Sequence, residues 1–197
     1  MAKEDIKDTG TPVASRHFVN VGWKHPGVAG FISVDIEFDE NLSRELSEGF
    51  PFDDSSIEGI LCEDLIHRMP RPDGLNLLRA CRRAMTSEAT LRVATMDLKG
   101  VTRSYTEMIE DAEKFEPGRP CELLNNLFQA HSSKWIYDEP ELIRLAQMAG
   151  LEFIGRQSAT TSTVPEFEHL ETYPHCDLIL EFRRLRREIS EEPLVSI

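Results

Sequence analysis

A chain of 197 residues, 40% hydrophobic and 29% charged, is long enough for one domain with a substantial core, and its net charge of −13 argues against sequence-independent binding to DNA, RNA or acidic membranes. No apolar run approaches the ~20 residues that span a bilayer, and the polar N-terminus lacks the apolar centre of a signal peptide. The four cysteines, Cys62, Cys81, Cys121 and Cys176, are scattered without a C-x-x-C pair, which speaks against a zinc site or disulfide framework and for a reducing cytoplasm.

Residues 1–16 read as a flexible lead-in, 17–187 as one domain and 188–197 as a tail. The organising stretch is HFVNVGWKHPGVAGFISVDI, residues 17–36. Two apolar runs, 18–21 and 31–36, flank a loop holding Gly22, Pro26, Gly27 and Gly30, and the second run carries Asp35 near its end. A strand, a glycine-rich turn and a second strand tipped with a carboxylate is a way to hold a nucleotide-like ligand. Glycine lets backbone approach the ligand, and the acid accepts hydrogen bonds from ribose hydroxyls. The same pattern also serves as plain architecture, and no G-x-G-x-x-G is present.

Residues 37–49 read as a polar linker or short helix, and 57–62 (IEGILC) as a buried strand. Pro70, Pro72 and Gly74 break the chain, with Asp73 a candidate N-cap for a helix carrying Leu75, Leu78 and Met85 on one face. A turn at 86–89 leads to an alternating strand, 90–96, ending at Asp97. Helical periodicity runs from 101 to 115 and again over 121–130. Asp138 and Glu141 suit a capping box for a helix with Pro140 in its first turn and Gly150 as C-cap. Strands follow at 151–156 and 177–182. The cluster Arg183, Arg184, Arg186 and Arg187 is trailed by Glu188, Glu191 and Glu192 and reads as a solvated face.

Strand and helix alternate without a repeat, which predicts an α/β fold with a largely parallel, three-layer sheet. Ligands in such sheets sit beyond the carboxyl ends of the strands, where Gly22, Asp35, Glu63 and Asp97 all fall.

Laid on known patterns, residues 22–36 (GWKHPGVAGFISVDI), Glu45-Leu46 with 50–60 (FPFDDSSIEGI), and 82–98 (RRAMTSEATLRVATMDL) resemble the class I S-adenosylmethionine-dependent methyltransferases, in the small methyltransferase-11-like group. Tyr105, Asn125, Asn126, His131, Tyr137-Asp138 and Gly150-Leu151 continue the resemblance, which covers roughly residues 17–185. It implies a Rossmann-like, seven-stranded, mostly parallel sheet with an antiparallel last strand. It further implies S-adenosylmethionine across the first strands, with Gly22 and Trp23 on the methionine side and Asp35, next to Ile36, on the ribose. Glu45 would face the adenine, and Glu63, within the segment 62–65, would lie beside the cofactor. His131 is the candidate base, weighed against a loop hydrogen bond. The expected activity is methyl transfer to a small-molecule acceptor, a sugar or metabolite, in the cytoplasm, by a chain that could form homo-oligomers. The sulfonium already activates the methyl group, so such a protein has mainly to align a nucleophile.

Three departures from the family pattern fall around the cofactor. Lys24 stands where a glycine is usual, Leu65-Ile66-His67-Arg68 lacks the usual acid, and Thr86-Ser87-Glu88-Ala89 lacks both turn glycines. These departures keep a second reading open: a fold that has lost the cofactor and serves as a binding or scaffold partner, pairing with a homologous subunit. Trp23 filling the crevice is what that second reading predicts. His67 reads as structural, Tyr105 and Trp135 as packing aromatics, and Asp97 as either a substrate contact or a helix cap. No nucleophile elbow, P-loop, zinc-protease helix or other metal-ligand motif occurs.

Overall fold

The computed structural model describes residues 17–36 and 52–185, apart from positions 25, 112, 114, 117 and 172. Strand β1 (Phe18–Gly22) is buried along its whole length, as a strand covered on both faces must be. It pairs in parallel with β2 (Ile32–Asp35) on one side and with β3 (Ile57–Glu63) on the other. β3 pairs in parallel with β4 (Met85–Thr95), and β6 (Leu178–Arg184) runs antiparallel to both β4 and β5 (Leu151–Gln157). The order is β2-β1-β3-β4-β6-β5. The antiparallel last strand agrees with expectation, but the described residues hold six strands rather than seven. The chain between β2 and β3 passes through 37–51, outside the described residues, and the expected linker or helix there lies outside them too.

One face of the sheet is covered by helices. α1 (Arg71–Ala84) inserts Leu77, Leu78, Cys81 and Ala84, and α4 (Glu139–Met148) inserts Leu142, Leu145 and Ala146, against Val19, Val21, Ile60, Cys62, Leu91, Val93 and Phe182. α1 begins at Arg71 with Pro70 as its N-cap rather than at Asp73, because a proline in the first turn has no N–H to leave unsatisfied. α4 starts as its sequence indicates, with the Asp138 carboxylate accepting the Glu141 N–H at 2.9 Å. The remaining helices, α2 (Leu98–Glu110) and α3 (Arg119–Gln129), pack on one another; α2 buries no residue fully and α3 buries only Leu127. The expected turn at 86–89 is instead the start of β4, whose residues 86–88 are not buried and whose later residues all are.

On the opposite face, β1 and β2 are joined by the loop 23–31 without a helix, and the segment 158–176 packs there. Phe167, in a single 3-10 turn (Pro165–Phe167), packs with Phe18 and Leu61, ring centroids of the two phenylalanines lying 5.7 Å apart. Arg92, fully buried, holds the segment by donating to the carbonyls of Ser158 (2.8 Å) and Thr161 (2.9 Å) and by pairing with Glu171 and Glu181. Irregular backbone can lie against a sheet only when its polar groups find such partners. The same segment then carries Tyr173–Cys176 to the carboxyl end of β3.

Candidate functional site at the carboxyl end of the sheet

The parallel registers bring three predicted residues into line: Gly22 pairs with Asp35 across β1 and β2, and Val21 pairs with Cys62, so Glu63 ends β3 beside them. β2 lies to one side of β1 and β3 to the other, so the connections diverge at β1 and β3, the point where such sheets bind ligands.

The protein's own groups take up this end of the sheet. Lys24 adopts φ +51°, the left-handed conformation a glycine would take at no cost, and its N–H donates to the Asp35 carboxylate at 2.7 Å. Ile36, partnered to the Gly22 carbonyl at 2.8 Å, is buried in the core. Trp23 packs against the main core and lies between two cations: the Arg68 guanidinium carbon is 4.6 Å from its ring centroid and the Lys24 Nζ 4.8 Å. Arg68 comes from beyond β3, so this contact joins the turn after β1 to the segment after β3. Glu63, expected beside a cofactor, is fully buried and accepts the Tyr173 N–H at 2.9 Å. Glu45 lies outside the described residues.

Next to Glu63 stands a cluster that sequence reasoning did not assemble. Asp64, at φ +54°, receives Arg68 on Oδ2, and its Oδ1 lies 2.8 Å from His175 Nε2, 3.4 Å from His67 Nε2 and 3.7 Å from Cys176 Sγ. Arg68 also donates to the backbone carbonyls of Asp64 (2.7 Å) and His131 (2.6 Å). The His131 ring packs at a tilt against His175 with centroids 4.5 Å apart, and the loop that follows hangs on the His67 carbonyl through the N–H groups of Lys134 and Trp135. Thus the candidate base does reach the end of β3. Asp97 instead caps α2, accepting the Lys99 N–H at 3.0 Å, and pairs with Arg156 at 3.0 Å.

Burial governs the protonation here. It pushes the Asp64 carboxyl up, but hydrogen bonds from His175 and Arg68 more than offset this and hold it below the usual range. Burial, with Arg68 and the other two histidines, pushes His67 down to about 3 despite Asp64, and burial with His175 lowers His131, so both are neutral at pH 7. Burial, then Asp64 and Glu63, push the Cys176 thiol well up, so it is no nucleophile. The signals that point to this cluster are the Asp-x-x-His of 64–67 at a strand end and the His-Cys pair just before the last strand. They lie far apart in the chain, and only the fold joins them.

No protein-family model matches this sequence, and no curated protein matches it. Solved structures do. The pyocyanin biosynthetic protein PhzM superposes with a TM-score of 0.50 at 16% identity, covering 86% of this chain and 50% of its own. The O-methyltransferase NcsB1 from neocarzinostatin biosynthesis, solved with S-adenosyl-L-homocysteine and 1,4-dihydroxy-2-naphthoic acid, gives 0.43 at 16%, covering 80% and 34%. The Synechocystis PCC 6803 magnesium protoporphyrin IX methyltransferase ChlM, with bound S-adenosyl-L-homocysteine, gives 0.43 at 12%, covering 79% and 51%. The chain thus spans between about a third and a half of the length of these three proteins. No helix among the described residues is long and apolar enough to cross a membrane. At such identities the likeness concerns the fold alone, a Rossmann-like mixed sheet.

Proposed function

We propose that this chain is a methyltransferase-fold protein whose cofactor crevice is closed by its own side chains, and that it works as a binding subunit, paired with a homologous protein or a second copy. The observation that carries this reading is the contact of Trp23, in the turn after β1, with Arg68, beyond the end of β3. The residues at this turn do not fit S-adenosylmethionine as the sequence resemblance positions it. An indole stands where a small side chain is usual, and two cations flank the place of a cationic sulfonium. Asp35 and Glu63 accept backbone N–H groups of this chain. Clearing the indole would cost a cation–π contact of about 1–2 kcal/mol before any ligand contact formed. Exposed Phe128 and Trp135, on α3 and in the loop after it, supply apolar surface of the kind a partner covers.

A second reading, methyl transfer to a small-molecule acceptor such as a sugar or metabolite, draws on one observation. The left-handed backbone at Lys24 keeps the shape that a glycine would give the turn. In that reading His131, neutral and beside His175, would be the base.

Calorimetric titration with S-adenosylmethionine and S-adenosylhomocysteine separates the two. The expected result is no heat with the folded wild-type chain at millimolar ligand and measurable binding by Trp23→Ala/Lys24→Gly, which reopens the turn. Micromolar binding by the wild-type chain would overturn the closed-crevice reading and favour the second.

A further inference from the structure

We infer that Asp64, His175 and Cys176, with His67 beside them, form a binding site for a zinc-class divalent metal ion at the carboxyl end of β3. This goes beyond the reading above and does not depend on whether S-adenosylmethionine binds. One ligand atom from each of Asp64, His175 and Cys176 lies within 4.8 Å of the other two, and Asp64 and Cys176 are buried. A carboxylate oxygen, an imidazole nitrogen and a sulfur make a mixed donor set that suits zinc and its first-row neighbours.

Two further features point inward. Three separate side chains face one oxygen, Asp64 Oδ1, at 2.8, 3.4 and 3.7 Å. Ligand atoms around a tetrahedral zinc sit about 3.3–3.6 Å apart, so two of these spacings already approximate a coordination edge, and the His175 contact needs only a small opening. The second is His67. Its side chain is fully buried, its Nδ1 lies 3.0 Å from the Thr95 hydroxyl, and its Nε2 has no hydrogen-bond partner although it faces Asp64 Oδ1. When Nδ1–H donates to Thr95, the Nε2 lone pair meets a carboxylate oxygen, two acceptors face to face. A cation near Asp64 Oδ1 resolves that conflict, and a hydrogen-bond acceptor on the other ring nitrogen orients an imidazole beside a metal.

Arg68 does not compete for the position. It engages Oδ2 and the backbone, leaving Oδ1 toward the three donors. On metal entry the Cys176 thiol releases its proton to solvent and the His175 N–H facing Asp64 moves to the other ring nitrogen, so each ligand presents a lone pair. The ion would clamp the segment 173–176 onto the end of β3, where Tyr173 N–H already meets Glu63. The scattered cysteines hide this site from sequence spacing, because Asp64 and Cys176 meet only through the fold.

The test is equilibrium dialysis of the full chain against Zn²⁺, with Co²⁺ absorption as a second readout. The expected result is one ion per chain, a thiolate-to-Co²⁺ charge-transfer band, and a loss of affinity in Cys176→Ser and His175→Gln that exceeds the about 10–100-fold cost of losing an outer-shell partner. His175 is partly exposed, so His175→Gln carries the test if Cys176→Ser fails to fold by circular dichroism. No uptake by the folded wild-type chain at micromolar Zn²⁺ would overturn the site. Uptake unchanged in His175→Gln, or a Co²⁺ complex without the sulfur band, would also overturn it, placing the ion elsewhere.

Discussion

Arg68 lies over the Trp23 ring, the guanidinium carbon 4.6 Å from the indole centroid, and this contact joins the turn after β1 to the cluster after β3. Arg68 also pairs with Asp64 and donates to the Asp64 and His131 carbonyls, so a single buried cation serves four groups. Replacing it by methionine removes one of the indole's two cations and leaves the buried Asp64 charge to His175 beside Glu63. Arg68→Met should lower stability by about 3 kcal/mol, or about 6–12 °C in Tm, whereas Trp23→Phe, which keeps an aromatic face, should cost about 1 kcal/mol. Urea unfolding of both variants checks this. Equal losses would mean that Arg68 contributes only through the stack.

Lys24 carries the strain of the same turn. A non-glycine residue at φ +51° costs about 1–2 kcal/mol in backbone energy, and glycine removes most of it while adding back some unfolded-state entropy. Lys24→Gly should therefore be neutral to about 1 kcal/mol stabilising by denaturant midpoint, with the Asp35 contact kept because it uses the backbone N–H. A destabilised variant would show that the Lys24 ammonium on Trp23 outweighs the strain.

β1 and β3 are legible in the sequence as short, mainly apolar runs, and the cap at Asp138 because capping is local chemistry, whereas Asp97 reads equally as a cap or a substrate contact. Gly22 and Asp35 were placed together correctly, since parallel register follows from two adjacent strands. What stayed hidden is long-range. Nothing in residues 158–176 has the period of a strand or helix, so its packing over β1, β3 and β4 is not legible from pattern. That packing depends on Arg92 reaching Ser158, Thr161, Glu171 and Glu181. Glu63 is legible as a strand-end acid, but the Tyr173 N–H on its carboxylate arrives with that same segment.

Gly59 reports on how closely that cover fits. A Cβ there would lie 2.4 Å from the Phe18 ring and 3.0 Å from Phe167, so the aromatic pair packs directly on bare backbone. Gly59→Ala should destabilise by about 1–3 kcal/mol through overpacking, despite the better intrinsic conformational preference of alanine. If the variant unfolds at the wild-type urea midpoint, the Phe167 turn does not seat on β3 as described.

Acid stability should depend on Glu181. Its fully buried carboxylate accepts from the Ser162 and Thr163 hydroxyls, the Thr163 N–H at 3.0 Å and Arg92 Nη1 at 2.9 Å. Burial alone raises its pKa, but these hydrogen bonds and the arginine outweigh burial and hold it below the usual carboxylate range. A group with a depressed folded pKa stabilises fully above its unfolded value, about 4.3, and that contribution disappears as pH falls through the lower folded value. The wild-type chain should therefore lose stability from this group between about pH 4 and the lower folded value, with nothing lost from it between pH 5 and 8. Glu181→Gln removes the charge at every pH, leaving Arg92 with Glu171 alone, and should cost about 3 kcal/mol at pH 7. The gap between wild type and Glu181→Gln, measured by urea unfolding at pH 3, 5 and 7, should be constant from 7 to 5 and shrink at 3. A gap unchanged at pH 3 would show that Glu181 is not held ionised by its partners, and that the cover over β4 and β6 rests on packing instead.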